Sequence, residues 1–176
     1  MPEKAFSVCI KDSVFIDPAA GSGNFLTETY LSLRRLENET IKAWMTNTMV
    51  GIDIEEAEYI KVSIGQFYGI EINDFAVRVA QTALWIAENQ MLEQTKAILR
   101  VDLDFLPLKN YENNIVEGNA LRLDWNDVVD RSRLSYIMGN PPFVGQRYIS
   151  REQHDDIINV LDGWENAGKV DYVVGW

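Results

Sequence analysis

Short apolar runs that end at an acid or an amide alternate along this chain with longer stretches in which apolar residues return every three or four positions. Val14-Phe15-Ile16 ends at Asp17 and predicts a first strand at about 14–17. From Asn24 onward, Phe25, Leu26, Tyr30, Leu33 and Leu36 fall at helical spacing and predict a helix to roughly 37, with a second helical piece over 39–45. Two segments compete for the second strand, Val50 to Ile54 and Phe67 to Ile72. The second is preferred because it runs into Asn73-Asp74, good helix N-cap residues. It is also followed by an amphipathic pattern with Phe75, Ala76, Val79, Ala80, Ala83, Leu84 and Ala87 on one face. Segment 50–54 leads into the polar Glu55-Glu56-Ala57-Glu58, an exposed face, and is placed within an insertion spanning 38–66. Asp102 to Tyr111, with Leu106-Pro107-Leu108, reads as a connection. A short third strand, 114–117, ends at Gly118-Asn119-Ala120-Leu121, and a fourth covers 136–139. Ser150 is placed to cap a helix from Arg151 to Leu161. Residues 1–13 form a lead-in whose Phe6, Val8 and Ile10 alternate as a short strand would.

Strands alternating with helices place the chain in the α/β class, with a doubly wound, mostly parallel sheet. The apolar pattern of Asp171 to Trp176 carries no termination signal. The sheet is therefore expected to be incomplete, with strands one to four present and the chain part of a longer protein. Strand four would then present an open edge able to pair with another copy, a route to a homo-oligomer.

Composition narrows the class of function. With 47% hydrophobic and 24% charged residues over 176 positions, one domain with a real core is expected. No run of eighteen apolar residues exists, so no membrane span is expected. The start, Met1-Pro2-Glu3-Lys4, lacks the blocks of a secretory signal. Cys9 is the single cysteine, which leaves no disulfide framework and no cysteine-based metal site. A cytoplasmic protein is expected. The net charge of −11 opposes non-specific attraction to a phosphate backbone. Any grip on nucleic acid must then be local, with Arg34-Arg35, Arg147 and Arg151 as candidates, or lie on other polypeptide.

Two loops carry the chemistry. After the first strand, Asp17-Pro18-Ala19-Ala20-Gly21-Ser22-Gly23-Asn24-Phe25 is rich in residues that let backbone approach a ligand, and the next helix directs N–H groups into the same space. Asp17 suits a cationic ligand group, such as the amino group of a methionine moiety, better than a pyrophosphate. After the fourth strand comes Asn140-Pro141-Pro142-Phe143. Together they read as a cofactor loop and a catalytic loop at the carboxyl ends of neighbouring parallel strands.

These stretches resemble the S-adenosylmethionine-dependent DNA methyltransferases that modify amino groups. The likeness extends to Phe67-Tyr68-Gly69-Ile70-Glu71-Ile72-Asn73 and Glu117-Gly118-Asn119-Ala120-Leu121, in the family's linear order over most of residues 14–150. The interval of about 50 residues between Asp17 and Glu71 is similar to that of adenine-specific restriction–modification enzymes. The resemblance implies a Rossmann-like class I methyltransferase fold, S-adenosyl-L-methionine as cofactor, double-stranded DNA as partner and the N6 amino group of adenine as acceptor. It assigns Asp17, Pro18, Ala19, Gly21, Gly23, Asn24, Phe25, Glu71, Ile72, Asn119 and Ala120 to the cofactor, and Asn140, Pro141, Pro142 and Phe143 to catalysis. A target-recognition region is absent from the sequence.

Physical roles stand beside that assignment. Glu71 at a strand end can accept from both ribose hydroxyls, or serve simply as an acid at a helix N-terminus. Asn119 stands where the family usually has an acid; its amide oxygen can accept from the adenine amino group, or it can be a plain turn residue. The Asn140 side-chain oxygen and the Pro141 carbonyl can take both protons of an exocyclic amine and aim its lone pair at a sulfonium methyl. The two prolines stiffen the loop, and Phe143 offers a stacking face for an extruded base. Arg147 and Tyr148 are candidates for DNA contact or parts of a linker, and His154 is expected to be a solvated helix residue. Rival functions remain: methylation of a protein glutamine amide or an rRNA guanine, methylation of cytosine N4, a catalytically silent cofactor-binding module, and NAD-dependent oxidation. A ribose-binding acid about 20 residues after the loop would be expected of the last.

Overall fold

The computed structural model describes residues 10–47, 60–100 and 114–176. Within them, four strands form one all-parallel sheet: β1 (Phe15–Asp17), β2 (Phe67–Glu71), β3 (Ile115–Glu117) and β4 (Tyr136–Ile137). Their order is β3-β2-β1-β4. The winding direction therefore reverses between β1 and β4, and in open α/β sheets that reversal opens a ligand crevice at the carboxyl ends. Among the described residues three long helices accompany the sheet: α1 (Asn24–Asn47), α2 (Asp74–Leu99) and α3 (Arg151–Val160). The α/β fold with a doubly wound parallel sheet is the one expected, and among the described residues no helix is long and apolar enough to cross a membrane.

Aromatic packing fixes the strand register. Phe15 pairs with Phe67 on one side and Tyr136 on the other. The three rings stack across β2, β1 and β4 with centroids 5.0 Å apart in each pair. Tyr30 of α1 meets Phe67 edge-on at 5.7 Å. Such pairs contribute about 0.5–1.5 kcal/mol beyond their area. The row levels the strands, so their carboxyl ends emerge together.

The pleat sends Phe15 to one face and Val14 and Ile16 to the other. On the first face, Leu26 and Tyr30 of α1 and Val77, Ala80, Leu84, Ala87 and Met91 of α2 close over Phe15, Phe67 and Ile115. Each large side chain so buried contributes about 1.5–3 kcal/mol. On the opposite face, Val14, Ile16 and Ile70 pack with Ala120 and Val129. There the cover is the β3–β4 connection and Trp176, not an α-helix.

Several expectations need correcting. The break near residue 38 is absent, and α1 runs unbroken from Asn24 to Asn47. Its buried stripe turns polar halfway along. Arg34 is 0% exposed and pairs with Glu37, and its Nη2 donates to Thr95 of α2 at 2.7 Å. Thr95 in turn donates to Asn38 Oδ1 at 2.8 Å, and Glu37 Oε1 accepts from the Lys61 N–H at 2.6 Å. Arg34 is therefore no DNA contact. Phe25, Leu36 and Phe75, expected in helix cores, are exposed, because they lie outside the stripes that face the sheet. Ile10 lies in a helical turn and not in a strand. Phe6, Val8, Cys9, segment 50–54, Glu55, Glu56, Glu58 and Leu106-Pro107-Leu108 fall outside the described residues.

Candidate functional site

At the carboxyl end of β1 the chain turns through Pro18 to Gly23, and each bend has a local cause. Asp17 Oδ1 accepts from the Ala19 N–H at 2.9 Å, folding the chain back on the strand end. The Ala20 N–H donates to the Ile70 carbonyl at 3.0 Å, which pins the loop to β2. Gly23 then adopts φ +80° directly over α2, where an added Cβ would lie 2.8 Å from Ala80 Cβ. Only glycine meets both demands. From there α1 begins, with Asn24 and Phe25 exposed at its start and Pro18 buried beneath.

Glu71 closes the loop from the β2 side. Its Oε2 accepts from the Gly21 N–H at 2.8 Å and its Oε1 from the Asn73 N–H at 3.0 Å. Asn73 caps α2, accepting from the Ala76 N–H at 3.1 Å. One carboxylate thus holds the glycine loop and the start of α2 in fixed relation. Ile72, next to it, is 68% exposed and offers an apolar surface beside that carboxylate.

Asp17 is the electrostatic anomaly. It is 1% exposed, and its Oδ2 is buried with no hydrogen-bond donor. Burial pushes its carboxyl up to about 6; the Ala19 N–H pulls the other way, and the negative charge of Glu71 adds to the rise. A buried carboxylate oxygen without a donor is costly unless something positive meets it.

The second loop starts beside the first. The Met138 N–H donates to the Ile16 carbonyl at 2.9 Å, so the β1–β4 ladder runs to the last residue before Asp17. Gly139 lies against the Asp17 side chain: a Cβ there would be 3.0 Å from Asp17 Cγ and closer still to Oδ1. Asn140, Pro142 and Phe143 are exposed and Pro141 half-buried, with the Phe143 ring 77% exposed. Arg147, Tyr148 and Arg151 are exposed just beyond. His154 is not freely solvated; it is half-buried against Gly168.

The structure thus brings Asp17, Gly21, Gly23, Glu71 and the Asn140 loop to one end of the sheet. It treats Asn119 differently. The amide oxygen expected to be a free acceptor takes the Leu121 N–H at 2.9 Å, and the amide nitrogen donates to Asp156 at 3.0 Å. Ala120 is buried, and its carbonyl accepts from Trp125 Nε1 at 2.8 Å. Asp156 escaped the sequence reading, because nothing local marks a partner 37 residues away.

Comparison with known proteins adds the family. The sequence profile described as "MmeI, DNA-methyltransferase domain" matches residues 4–176. A DNA methyltransferase A of Bacillus subtilis is 39% identical over 92% of this chain, which spans 18% of that protein. A putative type II restriction enzyme and methyltransferase of Methanocaldococcus jannaschii is 32% identical over 71% of this chain and 10% of its own length. A solved structure of the type IIL restriction–modification enzyme MmeI in complex with DNA superposes with a TM-score of 0.87 at 35% identity, covering 99% of this chain and 23% of that one.

Proposed function

The chain belongs to the MmeI DNA-methyltransferase domain family, and on that premise we propose that it carries the cofactor-binding and catalytic loops of a restriction–modification enzyme that transfers a methyl group from S-adenosylmethionine to the N6 amino group of adenine in double-stranded DNA. The observation that carries this reading is the contact between Gly139 and Asp17 across neighbouring strand ends. It supports a reading in which a cationic donor and an amine acceptor are held side by side.

The donor side fits S-adenosylmethionine, which when bound supplies the methyl group on a positively charged sulfur. Asp17 Oδ2, buried and lacking a donor, suits the ammonium group of the methionine moiety. The glycine loop admits close backbone approach, Glu71 offers a carboxylate for ribose hydroxyls, and Ile72 offers an apolar surface for the flat base. On the acceptor side no strong base is needed, because the neutral amine attacks with its own lone pair; the nitrogen that gains the methyl group sheds one proton to solvent, and the sulfur keeps the electron pair of the broken bond. Asn140 Oδ1 and the Pro141 carbonyl accept the two protons of the amine in hydrogen bonds and turn the lone pair out of conjugation, toward the methyl group. Phe143, largely exposed, stacks on the extruded adenine for about 1–3 kcal/mol, offsetting part of the few kcal/mol that base flipping costs.

The charge of −11 supports a reading in which most phosphate contact, and target recognition, belong to other parts of a longer polypeptide. The spans of 18% and 10% of two relatives support that division. Arg147, Tyr148 and Arg151 are the local contacts this domain would add. The test is methyl transfer by the polypeptide carrying this domain, with DNA digested to nucleosides and resolved by mass spectrometry. N6-methyladenine is expected. N4-methylcytosine, or methyl groups on protein glutamine with none on DNA, would overturn the reading.

A further inference from the structure

The loop after β3 and helix α3 meet on one buried carboxylate that no assigned role uses. Asp156 is 4% exposed, and both its oxygens are occupied. Oδ2 accepts from Asn119 Nδ2 at 3.0 Å and Oδ1 from Arg122 Nε at 2.6 Å. Because Asn119 Oδ1 accepts from the Leu121 N–H, the Asn119 amide has one satisfied orientation. Asp156 dictates it.

The same helix leads to the catalytic loop. Tyr172 is buried near Asp156, whose charge together with burial raises its phenol above the ordinary value. Its N–H donates to the Val144 carbonyl at 3.1 Å, and Asp171 Oδ1 accepts from the Gln146 N–H at 2.8 Å. Residues 171 and 172 therefore hold the segment that follows Phe143, while Gly175 lies between Leu121 of the β3 loop and Ile157 of α3.

We propose that Asp156 is a positioning residue: it fixes the Asn119 amide in the loop at the carboxyl end of β3, whose Gly118 N–H donates to the Glu71 carbonyl at 2.9 Å, and ties that loop, through α3 and residues 171–176, to the loop that presents Asn140. This rests on the methyltransferase reading above. Asp156 does not touch the reacting atoms. It selects one of two amide orientations at Asn119 and so holds the β3 loop in place beside Glu71, the carboxylate proposed for the ribose.

Polarity supplies a test that a merely structural role would not pass. In Asp156→Asn, a second amide donor faces either Arg122 Nε or Asn119 Nδ2, and turning Asn119 over only moves the donor–donor clash to the Leu121 N–H. In Asn119→Asp, two carboxylates face one another. In the double exchange, the carboxylate at position 119 accepts from both the Leu121 N–H and the new amide at position 156. The oxygen of that amide accepts from Arg122, and every group is satisfied again.

The polypeptide carrying this domain is titrated with S-adenosylhomocysteine, and transfer is measured at saturating and limiting cofactor. Each single variant is expected to bind about tenfold more weakly, with KM for the cofactor raised more than kcat falls, and the double exchange to return within about threefold of the parent. Asp156→Asn with the parent's affinity overturns the proposal, as does a double exchange that binds no better than Asp156→Asn. If Asp156→Asn does not fold, the double exchange decides alone: parental affinity supports the proposal, and failure to fold or bind overturns it. A parent that binds no S-adenosylhomocysteine overturns the methyltransferase reading too, which separates the two failures.

Discussion

With Asp17 holding the cofactor's ammonium group as proposed, its burial makes cofactor affinity depend on pH in a calculable way. Its carboxyl stands at about 6 in the free protein, chiefly through burial, against an ordinary value of 3.8. For an acid raised on folding, the native state holds the proton longer than the unfolded one. Its stabilising share is present at low pH and is lost as pH climbs from the ordinary value through about 6, a loss on the order of 3 kcal/mol. An ammonium group beside Oδ2 favours the ionised form and reverses that loss, so binding must expel the proton. Asp17 is about 90% protonated at pH 5 and about 10% at pH 7, so S-adenosylhomocysteine should bind about tenfold more weakly at the lower pH. Near pH 6 each binding event should release about half a proton. Calorimetry on the polypeptide carrying this domain, in two buffers of different ionisation enthalpy, reads both quantities. Asp17→Asn should abolish the pH slope and bind weakly throughout. A dissociation constant flat between pH 5 and 7, or a slope that survives in Asp17→Asn, would refute the reasoning.

Other perturbations follow from the same geometry. Glu71→Ala removes the acceptor proposed for the ribose and the anchor of the Gly21 N–H; cofactor affinity should fall about ten- to hundredfold, the value of one charge-assisted hydrogen bond, and unaltered affinity would argue against the ribose role. Asn140→Ala should lower the rate of transfer by about 10²–10³-fold while cofactor titrations stay at the parent's value, because the acceptor proposed at Asn140 serves the amine and not the donor. Gly139→Ala forces a methyl group into the Asp17 side chain; a loss of about 1–3 kcal/mol, read as a lower melting temperature, should accompany weaker cofactor binding. A variant that melts and binds as the parent does would mean the two loops are not in contact.

How much of this was legible depends on whether the signal is local. The choice of 67–72 as the second strand rested on Asn73, and Asn73 does cap α2 through the Ala76 N–H. Ser150 likewise caps α3, in a reciprocal pair with Gln153. The adjacency of β1 and β4 was read from the two loops taken as a pair, and it is present in the ladder. What failed was the reading of polar residues inside helices. Glu37 and Asn38 look like a break when only hydrophobic spacing is counted, yet both point inward, to Arg34, Thr95 and the Lys61 N–H. Phe25 and Phe75 misled in the opposite sense, as apolar residues near helix starts beyond the sheet's cover. Asp156 was invisible for a third reason: its partners come from the loop after β3, and a residue's chemistry cannot be inferred from neighbours it meets only on folding.

The buried polar junction of α1 and α2, an Arg34–Glu37 pair on α1 whose guanidinium donates to Thr95 of α2, has a consequence for how the site is held level. A purely greasy seam tolerates slippage, since one aliphatic ridge fits a neighbouring groove almost as well as its own. Here a slide of one helical turn, about 5.4 Å, would strand the guanidinium of Arg34 among rings and methyls and pull Glu37 off the segment that feeds β2. The junction therefore acts as a detent: it adds little net cohesion but permits a single alignment of the two long helices, and with it a single height for the turns they launch from.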